Sequence, residues 1–415
     1  MRSVGDHLAA VLRVAQPVRP LDVILTDAVG CILAEPLIAP ADVPGGNRAA
    51  CDGYALASAD LAHASVSEPV TLRVVDEVSA ATSEPARIVS GQSVKVASGV
   101  RVPHGADAVV PLEYSDRGEA KVRIAYPPRP GDNVIPHGSA ATAGSVAIEA
   151  GTRMGARQIA LAASLGFSRV TVHPRPRVVI LTVGDELHSA NRSRRASEGR
   201  DLPIFDANGP ALRVAVQDAG ATAIQVGPLS DDRATLREAL EDQLVRADLV
   251  VTTGGLSDGP RDTLRDVLSP LGTVRFDRVS MSPGRLHGVG MLGTEDWAVP
   301  IFALPGHPVA ALVAFEVFVR PALRTIAGYN DIYRPSLSAR AATSWQVDSH
   351  ERQFVPATIT GTPDAGYEVT PVAEPDQLSS LSISALSAAN ALVVVPEDVT
   401  TVARGTSLHC LVLEG

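Results

Sequence analysis

Cysteine is nearly absent. Cys31, Cys51 and Cys410 stand far apart in a chain of 415 residues, which argues against both a disulfide framework and a zinc site. The ten histidines form no pair at metal-ligand spacing on a helix. Lysine and arginine gather in no block and the net charge is -10, so the basic stripe that a nucleic-acid backbone requires is missing. No uncharged apolar run approaches the ~18 residues of a membrane span. The stretch from Val309 to Val319 is apolar but carries Glu316, and it suits a buried helix. Met1 to Ala15 holds Asp6, His7 and Arg13 among its apolar residues, which fits a short amphipathic helix and not a secretory signal. These absences lead us to expect a cytoplasmic protein with neither nucleic-acid nor membrane partners. Its composition, 45% hydrophobic and 20% charged, is ordinary for a globular chain, and its length allows several domains.

The pattern of the chain changes several times. Residues 1–45 read as helix, then loop, with Pro36, Pro40 and Pro44 marking the exit. Residues 46–129 carry short valine-rich runs between Gly, Pro and Ser, which suggests a small β domain. Residues 131–175 read as alanine-rich helix, clearest from Arg157 to Leu165 and ended by Gly166. From Arg177 onward strands and helices alternate. The predicted strands are Val178 to Val183, Ile224 to Val226, Leu249 to Thr253 and Val299 to Leu304; helices are expected from Asn208, over Asp231 to Arg246, near Asp262 to Leu268 and over Val309 to Ala327. Such alternation predicts a parallel, doubly wound sheet. From Pro335 short strands return, as in a small β barrel or sandwich.

Three strand ends in the alternating region carry unusual turns, and open α/β sheets bind ligands at that edge. The strand Leu249 to Thr253 breaks at Gly254-Gly255 and is followed by Ser257 and Asp262. Glycine lets a ligand approach the backbone, although a Gly-Gly pair alone is as often a tight turn. Gly184-Asp185-Glu186 ends a second strand; a helix-capping acid is its bland reading. Leu304-Pro305-Gly306-His307-Pro308 ends a third, where two prolines fix the turn and His307 reads as a hydrogen-bonding turn residue before it reads as a metal ligand. Glu186 and Asp262 are carboxylates that a hard cation such as Mg²⁺ accepts. Outside this region, Asp52-Gly53-Tyr54 and Ser98-Gly99 with Gly105 to Val110 form two further polar turns, and Asp-Gly is by itself a common hairpin signal.

Taken in order, these five segments resemble the MoeA/gephyrin E-domain family, the molybdopterin molybdenumtransferases. The resemblance spans nearly the whole chain. It implies a helical hinge region at 1–45 and 130–175, with 1–19 alternatively packed on the α/β domain. It further implies an inserted β domain at 46–129, a molybdopterin-binding α/β domain at 176–328 and a C-terminal β barrel at 329–415. The implied reaction inserts molybdate into adenylylated molybdopterin and releases AMP, assisted by Mg²⁺, in a homodimer that works beside other proteins of molybdenum cofactor biosynthesis. Carried over by position, Asp52, Glu186, Asp231 and Asp262 are the expected catalytic acids, and Glu186 and Asp262 the expected metal ligands. Ser98, Gly254, Gly255, Ser257, Pro305, Gly306, His307, Arg352 and Ser380 are expected to contact substrate, with the anion loop at Ser282, Pro283, Gly284 and Arg285. Asp52 and Ser98 are expected to act on the partner subunit's α/β domain.

The chain departs from the family pattern at several positions. A Gly-Glu-Asp near the end of the hinge is Gly138-Ser139-Ala140 here, and a Lys-Pro-Gly-Lys-Pro loop is Ser282-Pro283-Gly284-Arg285-Leu286. The barrel's Arg-x-Glu-Phe stretch becomes Glu351-Arg352-Gln353-Phe354, and Cys51 precedes Asp52. These losses keep three readings open at this stage: an insertase of altered efficiency, a non-catalytic molybdopterin-binding or scaffold paralogue, and an adenylyltransferase.

Overall fold

A computed structural model describes residues 1–79, 87–189, 204–256, 263–294, 297–347, 350–372 and 382–413. Its centre is a six-stranded sheet in the order Thr222–Leu229, Arg177–Val183, Leu249–Thr253, Trp297–Leu304, Leu286–Thr294, Arg275–Arg278. The first four strands are parallel. The unbroken apolar run of Arg177–Val183 follows from this placement. Val178 and Ile180 enter the core on one face of the sheet, and Val179, Leu181 and Val183 enter the core on the other. A strand covered on both faces has no solvent side to mark with polar residues. The helix Asn208–Asp218 and the helical stretch from Pro308 cover the first face; Arg233–Leu244 and Thr263–Leu271 cover the second.

The structure extends the expected parallel sheet with an antiparallel pair at one edge. Leu286–Thr294 runs against Trp297–Leu304, and Arg275–Arg278 runs against Leu286–Thr294. Three glycines in Leu286–Thr294 disguise the strand in the sequence. At Gly288 a Cβ would lie 2.9 Å from the Ala303 Cβ and 3.0 Å from the Phe276 ring, so the side-chain space is already filled. The helix expected over Val309 to Ala327 is interrupted by a π-helical turn at Phe315–Val319, just before Pro321. Proline has no N–H to give the preceding turn. Glu316 projects from that turn and receives two hydrogen bonds from Arg334, at 2.7 and 2.9 Å.

The hinge region is less helical than its sequence suggests. After the helix Val4–Val14 come the strands Leu21–Ile24, Ile32–Leu33 and Leu37–Ile38. Leu21–Ile24 and Ile32–Leu33 flank Arg169–His173 in one three-stranded sheet. Between 130 and 175 only Ala156–Ser164 is α-helical. Strands of two to five residues are too short to show a period, and their partners lie far away along the chain. The five-stranded sheet between Gly53 and Ile124 has the order Ala108–Pro111, Gly53–Leu56, Gln92–Val96, Val70–Val78, Lys121–Ile124. In the C-terminal region Arg352–Thr362, Gly366–Pro371, Ser336–Ala341, Ser407–Val412 and Ala391–Val395 close into a five-stranded barrel. No helix among the described residues is long and apolar enough to cross a membrane.

The helix Val4–Val14 begins at Ser3, whose hydroxyl accepts the Asp6 N–H at 3.0 Å. It buries Val4, His7, Ala10 and Val11 against the α/β core. His7 and His287 are each 1% exposed, and both rings meet Phe318 edge-on. Burial pushes His7 down to about 4 and, with the nearby His7, His287 down to about 3. The unfolded chain takes up these protons near 6.5. Both rings therefore contribute full stability above about pH 6.5, and that stability is lost as pH falls from there through the folded values. Thermal melts between pH 7.5 and pH 5 should show Tm falling on acidification, with a shallower fall in His7→Phe. Equal slopes in the two proteins would show that His7 does not titrate in this way.

Candidate functional site

The three turns singled out in the sequence meet at the carboxyl ends of adjacent parallel strands. Gly254 has φ +86°, and a Cβ there would lie 2.1 Å from the Val183 carbonyl oxygen. Only glycine permits both that conformation and that approach. On its other side Gly254 lies beside Gly306, where a Cβ would be 3.3 Å from the Gly254 Cα. The Thr253 hydroxyl donates to the Pro305 carbonyl at 2.8 Å. Backbone from 183–184, 253–255 and 304–306 thus comes together.

One side chain ties this edge together, and the sequence reading treated it only as a helix start. Asn208 Nδ2 donates to Thr253 Oγ1 at 2.9 Å and to the Gly306 carbonyl at 2.7 Å. Asp206, equally overlooked, is 8% exposed. It accepts the Thr182 hydroxyl at 2.9 Å and the Gly209 N–H at 2.9 Å, which fixes the start of Asn208–Asp218. A signal was present: two Asx residues stand just before Gly209-Pro210, the composition of a capped helix entrance.

Of the acids, Glu186 is exposed and folds back over Gly184, with both carboxylate oxygens 2.8 Å from where a Cβ would stand. Asp231 lies next to it through Asp185. Asp185 Oδ1 accepts from the Ser230 hydroxyl at 2.7 Å and the Asp231 N–H at 3.2 Å, while Asp231 Oδ2 accepts the Asp185 N–H at 3.4 Å. Asp185 is a third acid of this edge that the sequence reading gave no role. Asp262, Ser257 and Ser380 lie outside the described residues. Among the described residues no three His, Cys, Asp or Glu side chains gather as a metal site. Glu186 and Asp231 are nevertheless oxygen donors of the class Mg²⁺ takes, and Mg²⁺ commonly completes its shell with substrate phosphates and water.

The loop Ser282 to Arg285 is the tip between the antiparallel strands Arg275–Arg278 and Leu286–Thr294, closed by the Val279 N–H donating to the Arg285 carbonyl at 2.7 Å. Met281–Ser282 pairs with Arg352 and Gln353 of the barrel. At Gly284, φ is +84° and a Cβ would lie 2.9 Å from Pro305, so this loop abuts the third turn. Arg285 is expected, from the resemblance, in the anion loop, with no partner foreseen for it. It is instead ion-paired: its Nε lies 2.9 Å from both carboxylate oxygens of Glu351. Glu351 is buried, while the Arg285 side chain remains 57% exposed. Arg352 points to a different partner and pairs with Glu397 at 3.2 Å. His307 stands exposed at the start of Pro308–Ala314, and partial burial lowers its pKa.

Asp52 and Ser98 sit together in turns at the ends of two neighbouring strands of the five-stranded sheet, just before Gly53–Leu56 and just after Gln92–Val96. Asp52 Oδ1 accepts the Ser98 N–H at 2.6 Å, and the Ser98 hydroxyl donates to the Ala50 carbonyl at 3.2 Å. Asp52-Gly53 is no hairpin turn, because Gly53–Leu56 is an interior strand with partners on both sides. In the hinge, Ala140 is exposed and its N–H donates to the Val43 carbonyl at 2.9 Å. A carboxylate of the same loop pair, Asp42, accepts the Ala143 N–H at 2.7 Å and pairs with His137 at 3.0 Å.

The Asn208 bridge yields a stability prediction. Asn208→Ala removes two hydrogen bonds at a buried position and should destabilise the protein by ~1–3 kcal/mol, the range for buried groups left unpaired. Urea unfolding measures this; an unchanged midpoint and slope would show that the bridge contributes nothing.

Three family models match successive parts of the chain. They are described as "MoeA N-terminal region (domain I and II)" for residues 2–166, "Probable molybdopterin binding domain" for 179–325 and "MoeA C-terminal region (domain IV)" for 338–413. Molybdopterin molybdenumtransferase 1 of Mycobacterium tuberculosis is 36% identical, with 98% of this chain and 97% of that protein covered. Molybdopterin molybdenumtransferase 2 of the same organism is 34% identical, with 99% of each covered. The crystal structure of a molybdopterin biosynthesis MoeA protein from Pyrococcus horikoshii OT3 superposes with a TM-score of 0.80 at 26% identity, covering 99% of this chain and 100% of that one. With full-length likeness in sequence and in structure, and with its glycine turns assembled at one sheet edge, the chain belongs to the MoeA family.

Proposed function

We propose that this protein is a molybdopterin molybdenumtransferase. It binds adenylylated molybdopterin, takes molybdate into the dithiolene and releases AMP. The observation that carries this reading is the convergence of the Gly254-Gly255, Pro305-Gly306 and Ser282–Arg285 turns in a chain that is MoeA-like over its length. Glycine at each of these turns lets them close on neighbouring protein, and Arg285 supplies the cation beside them. Arg285 is held by Glu351 through Nε, so the guanidinium is oriented before ligand arrives. Such pre-ordering reduces the entropy lost on binding.

In the cleavage step a water attacks the adenylate phosphorus, the phosphoanhydride bond breaks, and AMP departs from the pterin phosphate. The water's proton passes to a carboxylate, for which Glu186 and Asp231 at this edge, and Asp262 by its position in the sequence, are the candidates. Asp185 positions Asp231 by bonding its backbone N–H. Mg²⁺, when bound, would be held by Glu186 and Asp262 together with substrate phosphates and would stabilise charge developing on the phosphoryl oxygens. Asp52, oriented by the Ser98 N–H, acts from the β domain of a partner subunit in a homodimer, since closed two-fold assembly presents one protomer's surface to the other's.

Three measurements test this reading. Molybdate-dependent release of AMP from adenylylated molybdopterin should be observed with the purified protein, and absence of release with ligand bound would defeat the enzyme reading. Asp231→Asn and Asp262→Asn should each slow release by ~10²–10⁴-fold, the usual contribution of a positioned acid or base; rates matching the parent would remove that acid from the mechanism. Light scattering should give a mass near twice the 43.1 kDa of one chain, and a monomer at micromolar concentration would exclude the shared site.

A further inference from the structure

The first position after the proposed anion loop that faces the core is His287, and a histidine there is unexpected. It is 1% exposed. Its neighbours are rings, with Phe318 at 5.2 Å and His7 at 5.3 Å between centroids. A phenylalanine would fill such a space without burying polar atoms. The imidazole does one thing that a phenyl ring cannot: its Nε2 lies 3.1 Å from the Gly284 carbonyl oxygen. A carbonyl only accepts, so the ring proton is on Nε2, and Nδ1 is left as an acceptor. That Nδ1 is buried and has no hydrogen-bond partner. Burying an unsatisfied nitrogen is unfavourable, so the Nε2 bond to the loop has to account for the choice of residue.

We infer that His287 is a positioning residue for the Ser282–Arg285 loop, pinned from behind by the amino-terminal segment, and that it fixes where Gly284 and Arg285 meet the anionic part of the substrate. This rests on the reading of that loop as the anion site. The pinned atom is well placed for the role. Gly284 is the point where the loop touches Pro305, and Arg285 follows it directly. Three contacts then set the tip: Gly284 to His287, the Arg285 carbonyl to the Val279 N–H, and Arg285 Nε to Glu351.

The groups behind His287 come from three elements. His7, on the helix Val4–Val14, packs against it at a tilt and directs Nδ1 at Asp277 Oδ2, 3.4 Å away. Asp277, on the strand Arg275–Arg278, also accepts from Arg2 and from Arg275, both at 2.9 Å. Arg2 in turn adds its backbone to the strand that leads into the loop. Its N–H donates to the Arg278 carbonyl at 2.8 Å, and its carbonyl accepts the Ser280 N–H at 2.7 Å. The amino-terminal residues therefore clamp the base of the loop while His7 backs the residue that holds its tip.

The experiment compares His287→Phe with His287→Gln in the full chain, measuring KM and kcat for AMP release and Kd for adenylylated molybdopterin by calorimetry. A glutamine amide can reach the Gly284 carbonyl as Nε2 does; phenylalanine cannot. His287→Phe should raise KM and Kd roughly tenfold, the effect of about one hydrogen bond, while kcat changes little. His287→Gln should restore most of that loss, whatever the two variants do to Tm. Equal ligand affinity in both variants and the parent, or equal loss in both, would overturn the inference and leave His287 as core filling. Should His287→Phe fail to fold, His7→Phe is the substitute: a smaller rise in KM is expected, and an unchanged KM overturns the inference. Arg285→Ala is the control for the underlying reading. If it too leaves KM and Kd unchanged, the loop is not the anion site. If it weakens binding while His287→Phe does not, only the positioning role falls.

Discussion

Close approach of backbone to backbone at the carboxyl edge of the sheet governs the rest of this structure. Gly254 lies so near the Val183 carbonyl that no side chain fits there, and a Cβ on Gly306 would crowd the Gly254 Cα. Two turns from separate strands can share that space only because each offers bare backbone at the contact. Thr253 and Asn208 then lock the arrangement with hydrogen bonds that end on Pro305 and Gly306 carbonyls. Those bonds lie at buried or half-buried positions, where leaving a polar group unpaired is unfavourable. The edge is therefore rigid before any ligand arrives, and preorganised dipoles stabilise developing charge without reorganisation.

The antiparallel extension of the sheet carries this rigidity outward. Its tip, the loop from Ser282 to Arg285, leaves the α/β domain, touches Pro305 through Gly284 and pairs with the barrel strand Arg352–Thr362 through Met281–Ser282. The buried Glu351 fixes the cation of that loop. A carboxylate taken out of water needs an opposite charge, and removing its partner is strongly unfavourable. The barrel thus has a physical stake in where Arg285 stands. The amino-terminal helix has another, through His7, Asp277 and Arg2. Parts far apart in sequence converge on one short turn.

Asp52 and Ser98 obey a separate constraint. Their mutual bond joins the exposed turns that flank two neighbouring strands of the five-stranded sheet, Gly53–Leu56 and Gln92–Val96. The carboxylate is held by a backbone N–H, which keeps it oriented while its surface stays exposed. A group arranged in this way suits contact with something outside its own domain, as the two-fold assembly proposed for this protein requires.

Much of the architecture could be read from residue order. Unbroken apolar runs such as Val178 to Leu181 announce buried parallel strands, and glycines at their ends announce turns, because period and backbone freedom are local properties. The five motif segments identify the family through their order alone. Other features were not legible. The strand Leu286–Thr294 is hidden by glycines that only its neighbours explain, and the short strands of the hinge have no period and pair across long stretches of chain. Asn208 and Asp206 look like ordinary helix-start residues until Thr253, Gly306 and Thr182 are brought to them. Arg285 could be recognised as a cation, but not as one held by Glu351. Sequence by itself determined the central parallel strands, the helices between them, the turns that end them, and which family they compose. Only the tertiary structure decided which polar atoms meet, since hydrogen bonds and ion pairs depend on ångström-scale distances between residues whose separation along the chain carries no such information.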